Sequence, residues 1–250
     1  MKILLIQNDP KRNKFENYKQ VEEIINSINV KLDFIALPEL WTTGYKLKPY
    51  EEQSESENSQ ILKNLSKLAK EKSCYILAGS IFYKENDNYY NRSFLFDRNG
   101  NIVGYYSKMK LFKGLNEHLI FKAGDKLGIF DTEFGRIGVM ICYDLRFPEI
   151  ARKLTFDGVK IIFVPSQWPI SRIEHFKVLL RARAIENQLF VIGINRYGLE
   201  NENFFGGNSL VISPKGEIIL DMGIGEKFSV IDIDINEVDE YRRSFPVLND

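Results

Sequence analysis

Residues 138–149 read GVMICYDLRFPE, a strand running into a helix through a cysteine. An apolar run over 136–141 has strand character and ends at Cys142. The segment 147–156 that follows reads as a helix, with Pro148 in its first turn, where a missing N–H is harmless. Cys142 therefore falls at a strand-to-helix turn, at the end of a rigid sheet. Backbone N–H groups and a helix N-terminus at such a turn favour the thiolate of a nucleophile. A free cysteine is more often a buried core residue, so the segment alone leaves both readings open.

Two further segments have the same shape. Residues 33–37 (DFIAL) read as a strand stopped by Pro38, and Glu39 comes next, in PELWTTGY. A carboxylate there, among apolar and aromatic residues, suits a general base; taken singly, a loop carboxylate in water is the commoner case. Residues 102–106 read as a strand that ends in two tyrosines and gives way to Lys108, in YYSKMKLF. A fixed ammonium there can stabilise an oxyanion, although a surface lysine is the ordinary reading, and Lys110 and Lys113 stand close by.

The remaining pattern mixes helix-separated strands with hairpins. Strands are expected over 2–7, 74–83, 89–97, 127–132, 160–164, 190–194, 208–212, 217–220 and 228–233, with turns at 98–100, 133–135 and 213–216. Helices are expected over 13–28, 61–72 and 172–188, and a loop with a short element over 107–125. A tail closes the chain over 241–250. No repeat or Gly/Ser linker interrupts the pattern, so one domain with a mixed sheet is expected over 1–250.

Composition prunes the functions. Of 250 residues 44% are hydrophobic and 27% charged, and 34 Lys+Arg balance 34 Asp+Glu to a formal charge of +0. A globular domain is implied, and neither a nucleic-acid surface nor a membrane anchor is expected, because either would leave a basic excess. The 2 Cys, Cys74 and Cys142, and 2 His, His118 and His175, sit at no short metal-ligand spacing. No disulfide framework is expected. No apolar run approaches the length of about 20 residues that spans a membrane, so a reducing, cytoplasmic location is expected.

Glu as base, Lys as electrostatic stabiliser and Cys as nucleophile form a working set for opening a C–N bond by acyl transfer. With these residues in place the chain resembles the nitrilase superfamily, the carbon–nitrogen hydrolases. LPELWTTGY, YSKMKLF, GVMICYDLRFPE and QWPISRIEHFKVLLRARAIENQLFVIGINRYG carry the resemblance in family order, through to the tail YRRSFPVLND. It implies an α/β fold, the four-layer α-β-β-α sandwich of this superfamily, and a triad of Glu39, Lys108 and Cys142. It separates Lys108 from Lys110, which stands where many members have His. It gives Glu117 the place of a second glutamate that positions the lysine and the substrate. No metal or organic cofactor is implied, and a homodimer is.

Within the superfamily the resemblance is to bacterial omega-amidases, through CYDLRFPE, QWP, RARAIENQ and the tail. It implies a small-molecule amide substrate of the 2-oxoglutaramate or 2-oxosuccinamate type. Tyr143, through its backbone N–H, is expected at the oxyanion. Arg146 is expected either to grip a distal carboxylate in bidentate fashion or to pair with Asp144 or Glu149. Tyr45, Phe112 and Trp168 are expected as pocket walls. Other carbon–nitrogen hydrolases, such as N-carbamoyl or aliphatic amidases, and a non-catalytic binding protein of the same fold are the alternatives. Cys74 is expected to be an inert core thiol and His175 a helix-face residue.

Overall fold

The structure is a computed structural model that describes residues 1–10, 13–200 and 202–249. Two sheets stack face to face. In the first, Lys2–Gln7, Phe34–Ala36 and Tyr75–Leu77 run parallel, Lys227–Asp232 pairs antiparallel with Lys2–Gln7, and Asn88–Phe96 joins Tyr75–Leu77, Ile81–Glu85 and Ile102–Ser107. In the second, Gly135–Val139, Ile161–Ser166 and Phe190–Asn195 run parallel. Antiparallel strands, Gly128–Thr132 on one side and Leu210–Ile212 with Ile218–Asp221 on the other, flank them.

The two-residue period of a strand explains the layering. Ile3, Leu5, Phe34, Ala36, Tyr75 and Leu77 face the second sheet, packing with Val139, Ile161 and Phe163. The alternate residues Leu4, Ile6, Ile35, Leu37 and Ile76 face the helices Lys14–Ser27 and Gln60–Lys72 through Tyr18, Val21, Ile25, Ile61 and Leu65. Phe34 stacks on Phe163 across the seam, ring centroids 5.7 Å apart. The helices Pro148–Phe156 and Ile173–Asn187 cover the second sheet with Ile150, Leu154, Phe176 and Leu180. Gly193 admits the latter helix: a Cβ there would lie 2.5 Å from Leu180 Cδ1. Helices outside and two sheets inside make the four-layer α-β-β-α sandwich expected from the sequence.

Most expected elements recur within a residue or two, and four differ for identifiable reasons. The single strand expected over 74–83 is two, Tyr75–Leu77 and Ile81–Glu85. Gly79 breaks it in a left-handed conformation, with the Pro38 carbonyl 2.0 Å from where a Cβ would stand. Leu210–Ile212 is shorter than the expected 208–212 because Asn208 has φ 60°. The hairpin Tyr197–Glu200 with Asn203–Gly206 was not foreseen, since GLENENFFG has no clean two-residue alternation. The helix Asn236–Ser244 was not foreseen either, because it buries only Val238. It takes up the start of the tail, whose last residue, 250, lies outside the described residues.

Candidate active site

Glu39 and Lys108 arrive from the first sheet and Cys142 from the second, so the seam between the sheets brings them to one place. Glu39 lies three residues beyond Phe34–Ala36, and Lys108 directly follows Ile102–Ser107. The lysine backbone stays tied down: its N–H donates to Asn91 O at 2.9 Å, and Gly124 N–H donates to its carbonyl at 2.9 Å. Cys142 opens the 3₁₀ turn Cys142–Arg146 with φ 47°. That left-handed backbone is unfavourable for a residue with a Cβ and is typical of a strained nucleophile turn.

Lys108 is the centre of a buried charge cluster. Its Nζ donates to Glu39 Oε1 and Glu117 Oε1, each at 2.8 Å, and all three side chains are essentially inaccessible to solvent. Burial opposes the lysine charge, but the two carboxylates outweigh it and hold the ammonium well above its ordinary range. Every carboxylate oxygen is partnered. Asn91 Nδ2 donates to Glu39 Oε1 at 2.8 Å, and the Gln167 backbone N–H donates to Glu39 Oε2 at 2.9 Å. Gln167 Nε2 also donates to the Glu39 carbonyl at 2.9 Å. Glu117, at the start of the one-turn helix Glu117–Ile120, takes the Phe112 N–H at 2.6 Å and the Tyr45 hydroxyl.

The Cys142 thiol faces the Gln167 carbonyl, with Sγ 3.8 Å from the oxygen. Cys142 and Glu39 thus meet on one residue, Gln167. Burial pushes the thiol well above its ordinary pKa, Glu39 adds to this, and Lys108 only partly opposes them. The sequence led to the opposite expectation, a thiolate favoured by the helix N-terminus and nearby N–H groups. The correction begins with burial: enclosure withdraws the thiolate from water, and Glu39 adds to this more than Lys108 relieves it.

A cavity of about 330 Å³ opens onto Lys108 and Cys142. Tyr45, Phe112, Tyr143, Arg146 and Trp168, all expected from the sequence, line it. Arg172, Asn203 and Phe205 line it too and were not foreseen. Arg146 lies over the Trp168 ring at 4.8 Å, with Nη2 3.4 Å from His175 Nδ1. The internal ion pair is not its arrangement. Asp144 is engaged by Tyr106 Oη at 2.7 Å and by the N–H groups of Lys110 and Ile141, each at 2.8 Å, and among the described residues Arg146 has no carboxylate partner. Lys110 contributes that backbone N–H and rests its Nζ 4.7 Å over Phe147. Tyr143 N–H belongs to the first turn of the 3₁₀ segment, whose leading donors have no partner within the helix. The described residues contain no group of three or more His, Cys, Asp or Glu able to hold a metal ion.

Asn91 and Gln167, which hold Glu39, carried no chemical signal in the sequence. Asn91 is one polar residue in a strand, and Gln167 entered only as a letter of QWP.

The carbon-nitrogen hydrolase family model matches residues 2–243. The chain belongs to this family. It is 39% identical over 235 residues to the 2-oxoglutaramate amidase of Bacillus subtilis, covering 94% of this chain and 91% of that one. It is 34% identical over 221 residues to omega-amidase YafV of Escherichia coli, covering 87% and 84%. Among solved structures, a CN-hydrolase superfamily protein from Xanthomonas campestris with an arsenic adduct in its active site superposes with a TM-score of 0.93 at 28% identity, covering 100% of this chain and 97% of that one. The protein is accordingly a hydrolase of non-peptide C–N bonds.

Proposed function

We propose that the protein is an omega-amidase, hydrolysing the terminal amide of a small dicarboxylate monoamide such as 2-oxoglutaramate or 2-oxosuccinamate. The observation that carries this is one cavity lined by Lys108, itself held by Glu39 and Glu117, by Cys142 and by two guanidiniums, Arg146 and Arg172. Lys108 and Cys142 suit amide cleavage, and a guanidinium in the lining suits a distal carboxylate. The similarity to relatives of that name supports the same substrate class.

In this reading Glu39 takes the proton from Cys142 as the sulfur attacks the amide carbon, so no free thiolate has to stand beforehand. Lys108 Nζ and the Tyr143 N–H stabilise the oxyanion. Glu39 returns the proton to the departing nitrogen, and ammonia leaves a thioester on Cys142. Water, deprotonated by Glu39, then attacks the thioester; the acid leaves and the thiol is restored. Glu117 holds Lys108 in place, and Tyr45, Phe112 and Trp168 form the walls.

Intact mass after brief exposure to 2-oxoglutaramate tests the reading. The wild type gains the acyl mass and releases ammonia, whereas Cys142→Ala does neither. Turnover by Cys142→Ala would sink the nucleophile, and release of ammonia from N-carbamoyl amino acids in preference to 2-oxoglutaramate would move the substrate class. We also propose that residues 1–250 form one domain, that the protein works as a homodimer, and that it resides in the cytoplasm. Exposed Phe156 and Val178 on the helices outside the second sheet support a partner face. A monomer by light scattering at micromolar protein would remove the dimer, and cell fractionation checks the compartment.

A further inference from the structure

Behind the cavity lies a second buried charge that the mechanism above does not use. Arg196 directly follows the strand Phe190–Asn195 and is 1% exposed. Its Nη1 donates to Gln167 Oε1 at 3.0 Å and to Glu200 Oε2, and its Nη2 reaches Asp9 Oδ1 at 3.4 Å. Its guanidinium carbon lies 4.6 Å over the ring of Phe205, a wall of the cavity. The residue before it, Asn195, clamps Trp168 by two hydrogen bonds, accepting from its N–H at 2.7 Å and donating to its carbonyl at 3.0 Å.

Two chains of contact leave this guanidinium, and each ends on a carboxylate that touches Lys108. One runs from Arg196 to the side-chain amide of Gln167, a residue that holds Glu39 twice, its Nε2 donating to the Glu39 main-chain carbonyl and its backbone N–H to the carboxylate Oε2. The other runs from Arg196 to Glu200, whose Oε1 takes the Tyr45 N–H at 2.9 Å, and Tyr45 Oη donates to Glu117. We infer that Arg196 is a positioning residue for the hydrolysis: it sets Glu39 through Gln167, and Glu117 through Glu200 and Tyr45, so that one guanidinium fixes both partners of Lys108. This rests on the proposed role of Glu39 as the base.

The fork of the guanidinium is what the geometry requires. It reaches an amide oxygen and two carboxylates in different directions at once, which a lysine ammonium on its flexible stem does not reproduce. A misplacement of the order of 1 Å at a reacting group lowers a rate by about 100-fold.

The test compares Arg196→Lys, Gln167→Ala, the double variant and Glu39→Gln on 2-oxoglutaramate, each checked for folding by circular dichroism. Arg196→Lys is expected to lower kcat by about 10- to 100-fold with KM changed far less. In the Gln167→Ala background the same substitution is expected to cost only about 3-fold, because the route to Glu39 is already cut. Full additivity of the two losses, or an unchanged kcat in a folded Arg196→Lys, overturns the inference. If Arg196→Lys does not fold, Glu200→Gln takes its place, with a loss of about 10-fold in kcat expected and none overturning the second route. Glu39→Gln separates the two claims. Full activity there defeats the mechanism itself, whereas an inactive Glu39→Gln beside a wild-type-like Arg196→Lys defeats only the positioning role.

Discussion

The two cysteines make an internal contrast. Both are buried beside a sheet, and burial raises both thiols, that of Cys74 to about 12. Cys74 stands between the end of the helix Gln60–Lys72 and the strand Tyr75–Leu77, fully buried in the apolar cluster that holds Ile35, Ile76 and Leu68. Cys142 retains 9% exposure, has a left-handed backbone, opens on a cavity, and shares its surroundings with Glu39 and Lys108. A raised pKa therefore does not separate the two thiols. On the proposed mechanism the difference is that Cys142 has Glu39 as proton acceptor and Lys108 as oxyanion partner in its surroundings.

The largest effect expected from this contrast is on turnover. Cys142→Ala should abolish ammonia release, by 10⁴-fold or more on the scale of a lost nucleophile. Cys74→Ala should keep kcat and lose about 1 kcal/mol of stability, read from urea midpoints. Equal losses of activity would erase the distinction. Next, Lys108→Met removes the one ammonium between two buried carboxylates. A kcat loss of about 10³-fold is expected, with about 3–5 kcal/mol of destabilisation; a folded, active Lys108→Met would show that neither term matters at Cys142.

A third effect belongs to Asp144, two residues beyond Cys142. Burial raises its carboxyl to about 6, against the opposing pull of Lys108 and its hydrogen bonds from Tyr106, Ile141 and Lys110. Its ordinary value is 3.8. Between these values the folded chain keeps a proton that the unfolded chain has released. The stabilising contribution is thus complete below 3.8, declines through the window, and is gone above about 6. The stability of the wild type relative to Asp144→Asn should fall by about 3 kcal/mol from pH 4 to pH 7. Denaturant midpoints that run parallel for the two proteins across that range would remove Asp144 as the source.

The smallest measurement sharpens the contrast directly. Iodoacetamide at neutral pH should modify Cys142 well before Cys74, and Glu39→Gln should slow only the former. Equal sluggish rates would favour a binding protein over an enzyme.

Much of this site was legible as letters. Three segments each placed Glu, Lys or Cys just beyond a strand, and the three expected walls Tyr45, Phe112 and Trp168, with Tyr143 and Arg146, line the cavity. The alternation of apolar residues also sufficed for the strands that became the inner faces. What did not survive was electrostatic or local in origin. The thiolate expected at Cys142 was judged from a turn and a helix N-terminus, without the burial that folding imposes or the charge of Glu39. The strand over 74–83 was judged without Pro38, whose carbonyl leaves no room for a side chain at the left-handed turn of Gly79.

Most of the elements and the alternating faces follow from residues a few positions apart, and three such segments put Glu39, Lys108 and Cys142 forward as candidates that the family resemblance joined into one set. Only the tertiary structure decided how those groups are held. Glu39 and Gln167 are 128 positions apart in the chain, and Tyr45 and Glu200 are 155 apart. Hydrogen bonds of that span come into being when two sheets pack face to face, and no local pattern of residues encodes which donor will meet which carboxylate.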